Sequence, residues 1–290
     1  MAEDTEDTWP QRFRPEHWSQ WAEPTGDRGD ADAIDALATL LSLRQEHQRR
    51  RQAAESRLVA RAMPPSVLLV GVAGAVASGK STIAAALAHR LRDLPHQLSA
   101  TVVSTDGFLR PNAELEAEGL TLRKGFPESY DLEALRDVHR ALRAGDEHLS
   151  VPVYAHELYD VAPDPIVVDR PDVLILEGVN ALQGAPDGGE GPGDLADVAI
   201  YIEADEDAVI GWFTERFVAL TAEARDDPDS FYRLWCDLPD GEVRQAARDV
   251  WDGINGVNLR DHIAPSRARA DIEVVKAVSH AVEELRLLGG

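Results

Sequence analysis

Short apolar runs alternate with amphipathic stretches from Val67 to the C-terminus. Val67-Leu68-Leu69-Val70-Gly71-Val72 is unbroken and β-branched, which predicts a strand buried on both faces. Ser81 to Ala88 then reads as a helix. Thr101–Thr105, Val173–Leu176, Val198–Ile202 and Ile272–Val275 read as further strands. Helices are predicted over Asp131–Ala144, with Gly145 as its stop, over Glu206–Ala224, and over His280–Leu288 as a closing element. Strands alternating with helices predict an α/β fold around a mostly parallel sheet.

Ahead of this unit, Ala31 to Ala62 reads as one long helix with Ile34, Leu37, Leu40, Leu41 and Leu43 on its apolar side. Its second half, Arg44 to Arg61, is polar and holds Arg49-Arg50-Arg51, a solvated face suited to pairing with an acidic body. Pro64-Pro65 ends it. Residues 1–30 are rich in charge, Pro and Gly, with Trp9, Phe13, Trp18 and Trp21 among them. Such a segment is partly disordered, with the aromatics docking some of it. The pattern divides the chain into an extension, 1–63, and a main domain, 64–290. Gly184 to Asp194 (GAPDGGEGPGD) is too rich in Gly, Pro and acid to pack and reads as a mobile loop.

Composition narrows the function classes. The chain has 290 residues, 44% of them hydrophobic, enough for a full core. A net charge of −23 repels phosphodiester backbones and anionic membranes, so neither nucleic acid nor membrane is an expected partner. The lone Cys236 excludes an internal disulfide and a cysteine-based zinc cluster. No signal peptide and no apolar run of about 20 residues stands out, so the expected location is the cytoplasm.

The chemistry begins at Gly74-Ala75-Val76-Ala77-Ser78-Gly79-Lys80-Ser81-Thr82, a phosphate-binding loop pattern set between a strand and a helix. Glycines let backbone N–H groups turn inward around an anion, and the helix N-terminus adds partial positive charge. Lys80 suits the β- and γ-phosphates of ATP, and the Ser81 hydroxyl suits Mg²⁺. Only Lys80, Lys124 and Lys276 are lysines; every other strong base is Arg. A compact ammonium retained at position 80 speaks for a geometric demand that a planar guanidinium does not meet.

Ligands of open α/β sheets bind beyond the carboxyl ends of the strands. Two further predicted strand ends carry acids there. Asp106 is placed to take a proton from an attacking hydroxyl, or is simply part of an Asp-Gly turn. Glu177, after four apolar residues, is placed to hold Mg²⁺, or caps a turn. His156-Glu157-Leu158-Tyr159-Asp160 matches a zinc-protease pattern only superficially, because Tyr159 stands where the second His belongs. Tyr154, His156 and Tyr159 instead suit hydrogen bonding to a polar substrate, or a structural role. In the predicted helix after Glu206, Arg216 lies beside the Phe213/Phe217 stripe, as a phosphoryl-stabilising Arg or a surface ion pair.

Together the segments GVAGAVASGKST, VVSTDGFLRPNAEL, RKGFPESYDLEAL, VPVYAHELYD, PDVLILEGVNALQ, DDPDSFY and HAVEELRL resemble bacterial type I pantothenate kinase, in that order and near that spacing. Lys124-Gly125-Phe126-Pro127-Glu128-Ser129-Tyr130 is the part that separates this family from uridine kinases and phosphoribulokinases. The resemblance implies a P-loop kinase fold with a helical lid around 206–240. It implies a homodimer that phosphorylates pantothenate with ATP and Mg²⁺ at the entry to coenzyme A synthesis, with coenzyme A as an inhibitor. By the same resemblance, Asp106 matches the base, Lys80 and Ser81 the phosphate and Mg²⁺ residues, and Arg216 an Arg near the transferring phosphate. Tyr154, His156 and Tyr159 match positions that contact pantothenate or the inhibitor. Asn258, or Asn255 in the other register of INGVNL, matches a pantothenate hydrogen-bonding residue.

The chain also departs from the family. Phe213 stands where Tyr is usual, Leu220 and Arg225 where Phe is expected, and Trp235 where Tyr is expected. A site that loses a polar partner changes its substrate preference. Ala85 replaces an Arg near the coenzyme A phosphates, which implies weaker feedback. Two alternatives follow: a related kinase for another small hydroxylated metabolite, uridine- or glycerate-like, and a non-catalytic nucleotide-binding regulator.

Overall fold

The computed structural model describes residues 11–13, 29–155, 158–226 and 230–288. Seven strands form the main sheet. In chain order they are β1 (Gln11–Phe13), β2 (Leu68–Gly74), β3 (Ala100–Ser104), β8 (Val173–Glu177), β9 (Val198–Ala204), β10 (Ile272–Lys276) and β11 (Val282–Leu287). The spatial order is β1-β11-β10-β9-β2-β8-β3. From β10 to β3 every pairing is parallel, and β11 and β1 add an antiparallel edge. Two short ribbons, β4 (His148–Val151) with β7 (Ile166–Asp169) and β5 (Tyr154–Ala155) with β6 (Asp160–Val161), lie outside it.

Helices cover both faces, as a parallel sheet requires. The first face packs α1 (Gly29–Leu58) and α2 (Lys80–Asp93) on the sheet, with Leu37, Leu41, Ile83 and Leu87 against Val70, Val72, Ile175 and Ile200. The other face carries α3 (Leu132–Ala144), whose Leu135 and Leu142 join Leu69, Val103, Leu174 and Leu176. Asp131 caps α3 by accepting from Ala134 N–H at 3.0 Å, and Gly145 ends it at φ 99°. Beyond the carboxyl ends lie α4 (Glu206–Glu223) and α5 (Asp240–Val250), which share an apolar seam of Val209, Phe213, Phe217, Val243, Ala247 and Trp251. Among the described residues no helix is long and apolar enough to cross a membrane.

The predicted strands and the first four predicted helices are present with ends shifted by a few residues. The basic run on α1 is solvated, as expected, and Arg49 pairs with Asp172 at the start of β8. Less expected is Gln45, fully buried, whose amide donates to Ser66 O and Asp172 O at 2.9 Å each. It fastens the polar half of α1 to the sheet. Backbone pairing of Gln11–Phe13 with Leu285–Leu287 is the docked part of the N-terminal segment; Trp9, Trp18 and Trp21 lie outside the described residues.

One expectation is overturned, and a second is met only in part. His280–Leu288 does not form a helix; residues 282–287 are strand β11. Glu283, Glu284, Leu285 and Arg286 are good helix formers, but the open edge of β10 supplies a full ladder of backbone partners. The buried Glu284 is tolerated because Arg286 Nη2 donates to it at 2.9 Å, while Arg286 Nη1 reaches the buried Glu273 at 3.2 Å. Residues 184–194 pack only in part: Gly191 and Pro192 are buried, while 186–190 are exposed. A Cβ on Gly191 would lie 2.4 Å from Gly184 C, and one on Gly193 2.3 Å from Leu182 O, so these glycines serve close backbone approach. Arg136 donates to Glu190 O at 2.9 Å and to both Asp187 oxygens at 3.1 Å.

Candidate active site

The register of the sheet brings three loops together. Val72 of β2 and Ser104 of β3 both lie opposite Glu177 of β8. Everything that follows these three positions therefore opens on the same edge. The phosphate loop leaves β2, the turn bearing Asp106 leaves β3, and Glu177 closes β8.

The loop has the build of an anion cradle. Gly74 adopts φ 155°, and a Cβ there would meet Ile202 O at 2.8 Å and Ser78 Oγ at 3.0 Å. Gly79, at φ 87°, introduces α2 and leaves room where a Cβ would press Lys276 Nζ at 2.9 Å. Ala77 holds the left-handed region at φ 62° without being glycine. Ser78 Oγ is buried without a hydrogen-bond partner among the described residues, a donor available to a phosphate oxygen. Lys80 Nζ donates to Ala75 O at 2.8 Å, folded back across the loop.

Charge converges here. Burial holds the Lys80 ammonium below its ordinary pKa, opposed by the carboxylates of Glu177 and Asp106 and reinforced by Arg216. Burial likewise raises the Glu177 carboxyl, with Lys80 pulling it down and Asp106 pushing it up. Ser81 Oγ donates to Glu177 Oε1 at 3.1 Å. Asp106 N–H is held by Ser104 Oγ at 3.3 Å, which fixes the turn that carries its carboxylate. Tyr130, the last residue of the KGFPESY segment, has a buried hydroxyl whose pKa is driven well up by burial and by Asp106. Arg216 is exposed on α4 yet close enough to act on Lys80 and on Tyr232.

A second cluster adjoins Asp106. Lys124 Nζ donates to Asn112 Oδ1 at 2.6 Å, Tyr159 O at 2.7 Å and Tyr154 Oη at 3.1 Å. It also lies 4.4 Å from the Tyr159 ring centroid. Burial lowers its pKa, opposed by Asp160 and Asp106. The Tyr159 hydroxyl is pushed up to about 12, chiefly by burial, so it stays a neutral donor. Its ring stacks on Phe231 at 4.8 Å and 4°. The buried Asn258 donates from Nδ2 to Gly125 O at 2.8 Å, tying helix to heptapeptide, whereas Asn255 is only half-buried.

The structure thus brings Lys80, Ser81, Asp106, Glu177, Tyr154, Tyr159 and Arg216 to one edge. His156 lies outside the described residues. Phe213 and Phe217 are buried in the α4–α5 seam, Phe213 at 5.6 Å from Trp251 and Phe217 at 5.3 Å from Tyr232. Sequence reasoning passed over Lys124, Lys276 and Tyr130 as site residues. Lysine scarcity was the available signal: all three lysines of the chain converge on this site, Lys276 Nζ reaching Ser78 O at 3.4 Å.

Oxygen donors at Ser81 and Glu177 fit Mg²⁺, which binds few protein groups and completes its shell with phosphate oxygens and water. A phosphate loop, an acid at each neighbouring strand end and an Arg from a helix over them define a P-loop kinase.

The chain belongs to the phosphoribulokinase/uridine kinase family, whose model matches residues 69–219. Curated relatives include the protein named pantothenate kinase of Yersinia enterocolitica, 40% identical over 225 residues, 76% of this chain and 71% of that protein. The pantothenate kinase of Yersinia pestis is 41% identical over the same shares. Among solved structures, D-glycerate 3-kinase from Cryptococcus neoformans has a TM-score of 0.58 at 14% identity, over 89% of this chain and 98% of that one. That last likeness is one of fold.

Proposed function

We infer that the protein transfers the γ-phosphoryl group of ATP to the primary hydroxyl of pantothenate, giving 4′-phosphopantothenate, the first step of coenzyme A biosynthesis. The observation that carries this reading is the identity of about two residues in five with curated pantothenate kinases over three quarters of the chain. Its structural support is that the KGFPESY segment is built into the site through Lys124, Gly125 and Tyr130.

In the mechanism that the geometry supports, the backbone of residues 74–82 and Ser78 Oγ cradle the phosphates of ATP. Lys80 turns from Ala75 O to the β- and γ-phosphates. Ser81 and Glu177 would hold Mg²⁺, which when bound offsets the negative charge of the phosphate oxygens. Asp106 accepts the proton of the acceptor hydroxyl as that oxygen attacks phosphorus, and Arg216 and Lys80 stabilise charge on the transferred group. Transfer is direct and in line, with ADP leaving and no covalent enzyme intermediate. Tyr154, Tyr159, His156 and the heptapeptide anchored by Asn258 form the acceptor side, with Phe213 and Phe217 behind it. Residues 206–240 act as the lid, and 1–63 as an extension of the kinase domain 64–290.

The resemblance also supports a cytoplasmic homodimer inhibited by coenzyme A. Ala85 is exposed one turn after Ser81 on α2, where a methyl group offers an anionic inhibitor no charge. Weak inhibition is therefore expected; inhibition as strong as in relatives bearing Arg there would contradict it. Incubation with ATP, Mg²⁺ and pantothenate, uridine or glycerate in turn tests the acceptor. Phosphorylation of pantothenate alone supports the reading, and phosphorylation of another acceptor instead overturns it.

A further inference from the structure

Trp212 ties the lid helix α4 to a turn beside the phosphate loop. Its indole Nε1 donates to Val278 O at 2.9 Å, across 66 positions of sequence. Its ring stacks on His280, with centroids 3.8 Å apart and planes at 27°. Both contacts fall in the turn that joins β10 to β11.

That turn is itself fixed, and it abuts the loop. Ala277 N–H donates to Ala281 O at 2.8 Å, and His280 N–H to Ala277 O at 2.9 Å. His280 takes φ 69°, a left-handed conformation that a non-glycine residue keeps only where its surroundings enforce it. Just before the turn, Lys276 Nζ donates to Ser78 O at 3.4 Å and fills the space that a Cβ on Gly79 would need. The path from Trp212 to the phosphate loop therefore runs through Val278, His280 and Lys276.

What this tie adds to α4 is direction. Val209, Phe213 and Phe217 pack the helix against α5 and Ala75. Apolar contact is non-directional, so it sets how deep a helix lies more than how it is turned about its axis. Glu206 and Glu215 pair with Arg260 and Arg244, in α5 and its continuation. The hydrogen bond from Trp212 is directional and reaches instead the carboxyl end of β10. Residues 212 and 216 are four apart, so they share one face of α4. Arg216 accordingly extends from the face that Trp212 holds beside the loop, near enough to Lys80 to lower its pKa.

We propose that Trp212 is a positioning residue that, through Val278 and His280, holds α4 in the rotation that aims Arg216 at the transferred phosphoryl group. This rests on Arg216 acting on that group. A small turn of the helix displaces a guanidinium at the end of a long side chain by about 1 Å, enough to forfeit much of its contribution.

Trp212→Phe keeps a ring for His280 and removes the N–H donor. Its steady-state kinetics with ATP and pantothenate are compared with those of Arg216→Ala and of the double variant. The expected result is a kcat about tenfold lower in Trp212→Phe, with the KM for pantothenate and the thermal midpoint unchanged. Arg216→Ala falls further, by about a hundredfold, and adding Trp212→Phe to it lowers kcat no more. A residue that acts through Arg216 has nothing left to aim once Arg216 is gone. An unchanged kcat in Trp212→Phe, or the same tenfold loss in the Arg216→Ala background, overturns this inference alone. Full turnover by Arg216→Ala overturns the role of Arg216 and this inference with it. Absence of turnover by the wild type overturns the acceptor reading and this inference with it.

Discussion

Ser81 Oγ donates a 3.1 Å hydrogen bond to Glu177 Oε1 across 96 positions of sequence. One residue opens a helix and the other ends a strand, and the parallel register of β2 with β8 makes them neighbours. In the proposed mechanism their oxygens would hold Mg²⁺ at the edge of the phosphate loop.

Ser81→Ala removes one of those donors and leaves the fold intact, since Ser81 is exposed. A Mg²⁺ titration of ADP formation should show the half-saturating concentration raised by about 10- to 100-fold, in the range of lost metal-site groups. An unchanged Mg²⁺ requirement would remove Ser81 from the metal site.

Glu177 links the site to pH. Its carboxyl binds a proton more tightly folded than unfolded, because burial raises its pKa above the ordinary 4.5. Ionising it therefore costs stability, a cost absent below that ordinary value and fully developed above the raised one. Glu177→Gln abolishes this dependence. The stability of the wild type relative to the variant should fall as pH rises from about 4.5, as read by urea denaturation across pH; a difference constant with pH would contradict it.

Lys80→Arg preserves charge but not shape. The ammonium sits in a loop where it donates to Ala75 O at 2.8 Å, and a planar fork does not fit that space. A fall in kcat of about a hundredfold or more is expected, near that of Lys80→Ala. Substantial rescue by Arg would show that charge alone suffices.

Gly178→Ala probes the floor of the site. A Cβ there would lie 1.7 Å from Thr105 Oγ1, on the turn next to Asp106. Overpacking of this kind costs about 1–3 kcal/mol. Gly211→Ala, in the interior of α4 with nothing within 4 Å, should instead stabilise by about 0.5–1 kcal/mol. Denaturant midpoints of the two variants moving in opposite directions would bear this out.

Much of this was legible because local signals and tertiary demand agree. The Val67–Val72 run had to be a buried strand, and a glycine loop between strand and helix has few other uses. Agreement failed at Val282–Leu287, where helix formers yield to an open strand edge and the arginine that makes a buried Glu284 acceptable lies in the same strand. It failed again at Gly191 and Gly193, whose backbones approach others too closely for composition to reveal. No element was assigned between 240 and 271, yet α5 and its continuation supply Trp251 and Asn258. Lys276 and Tyr130 escaped notice as site residues because convergence on a site is a property of topology, and no spacing along the chain encodes it.

The central claim is tested most directly by following the product. Wild-type protein with ATP, Mg²⁺ and pantothenate should form one ADP per 4′-phosphopantothenate, identified by mass spectrometry, while Asp106→Asn binds ATP and yields less than about a hundredth of that rate. Wild-type protein that binds ATP but leaves pantothenate unphosphorylated, or an Asp106→Asn variant that retains substantial turnover, would contradict it.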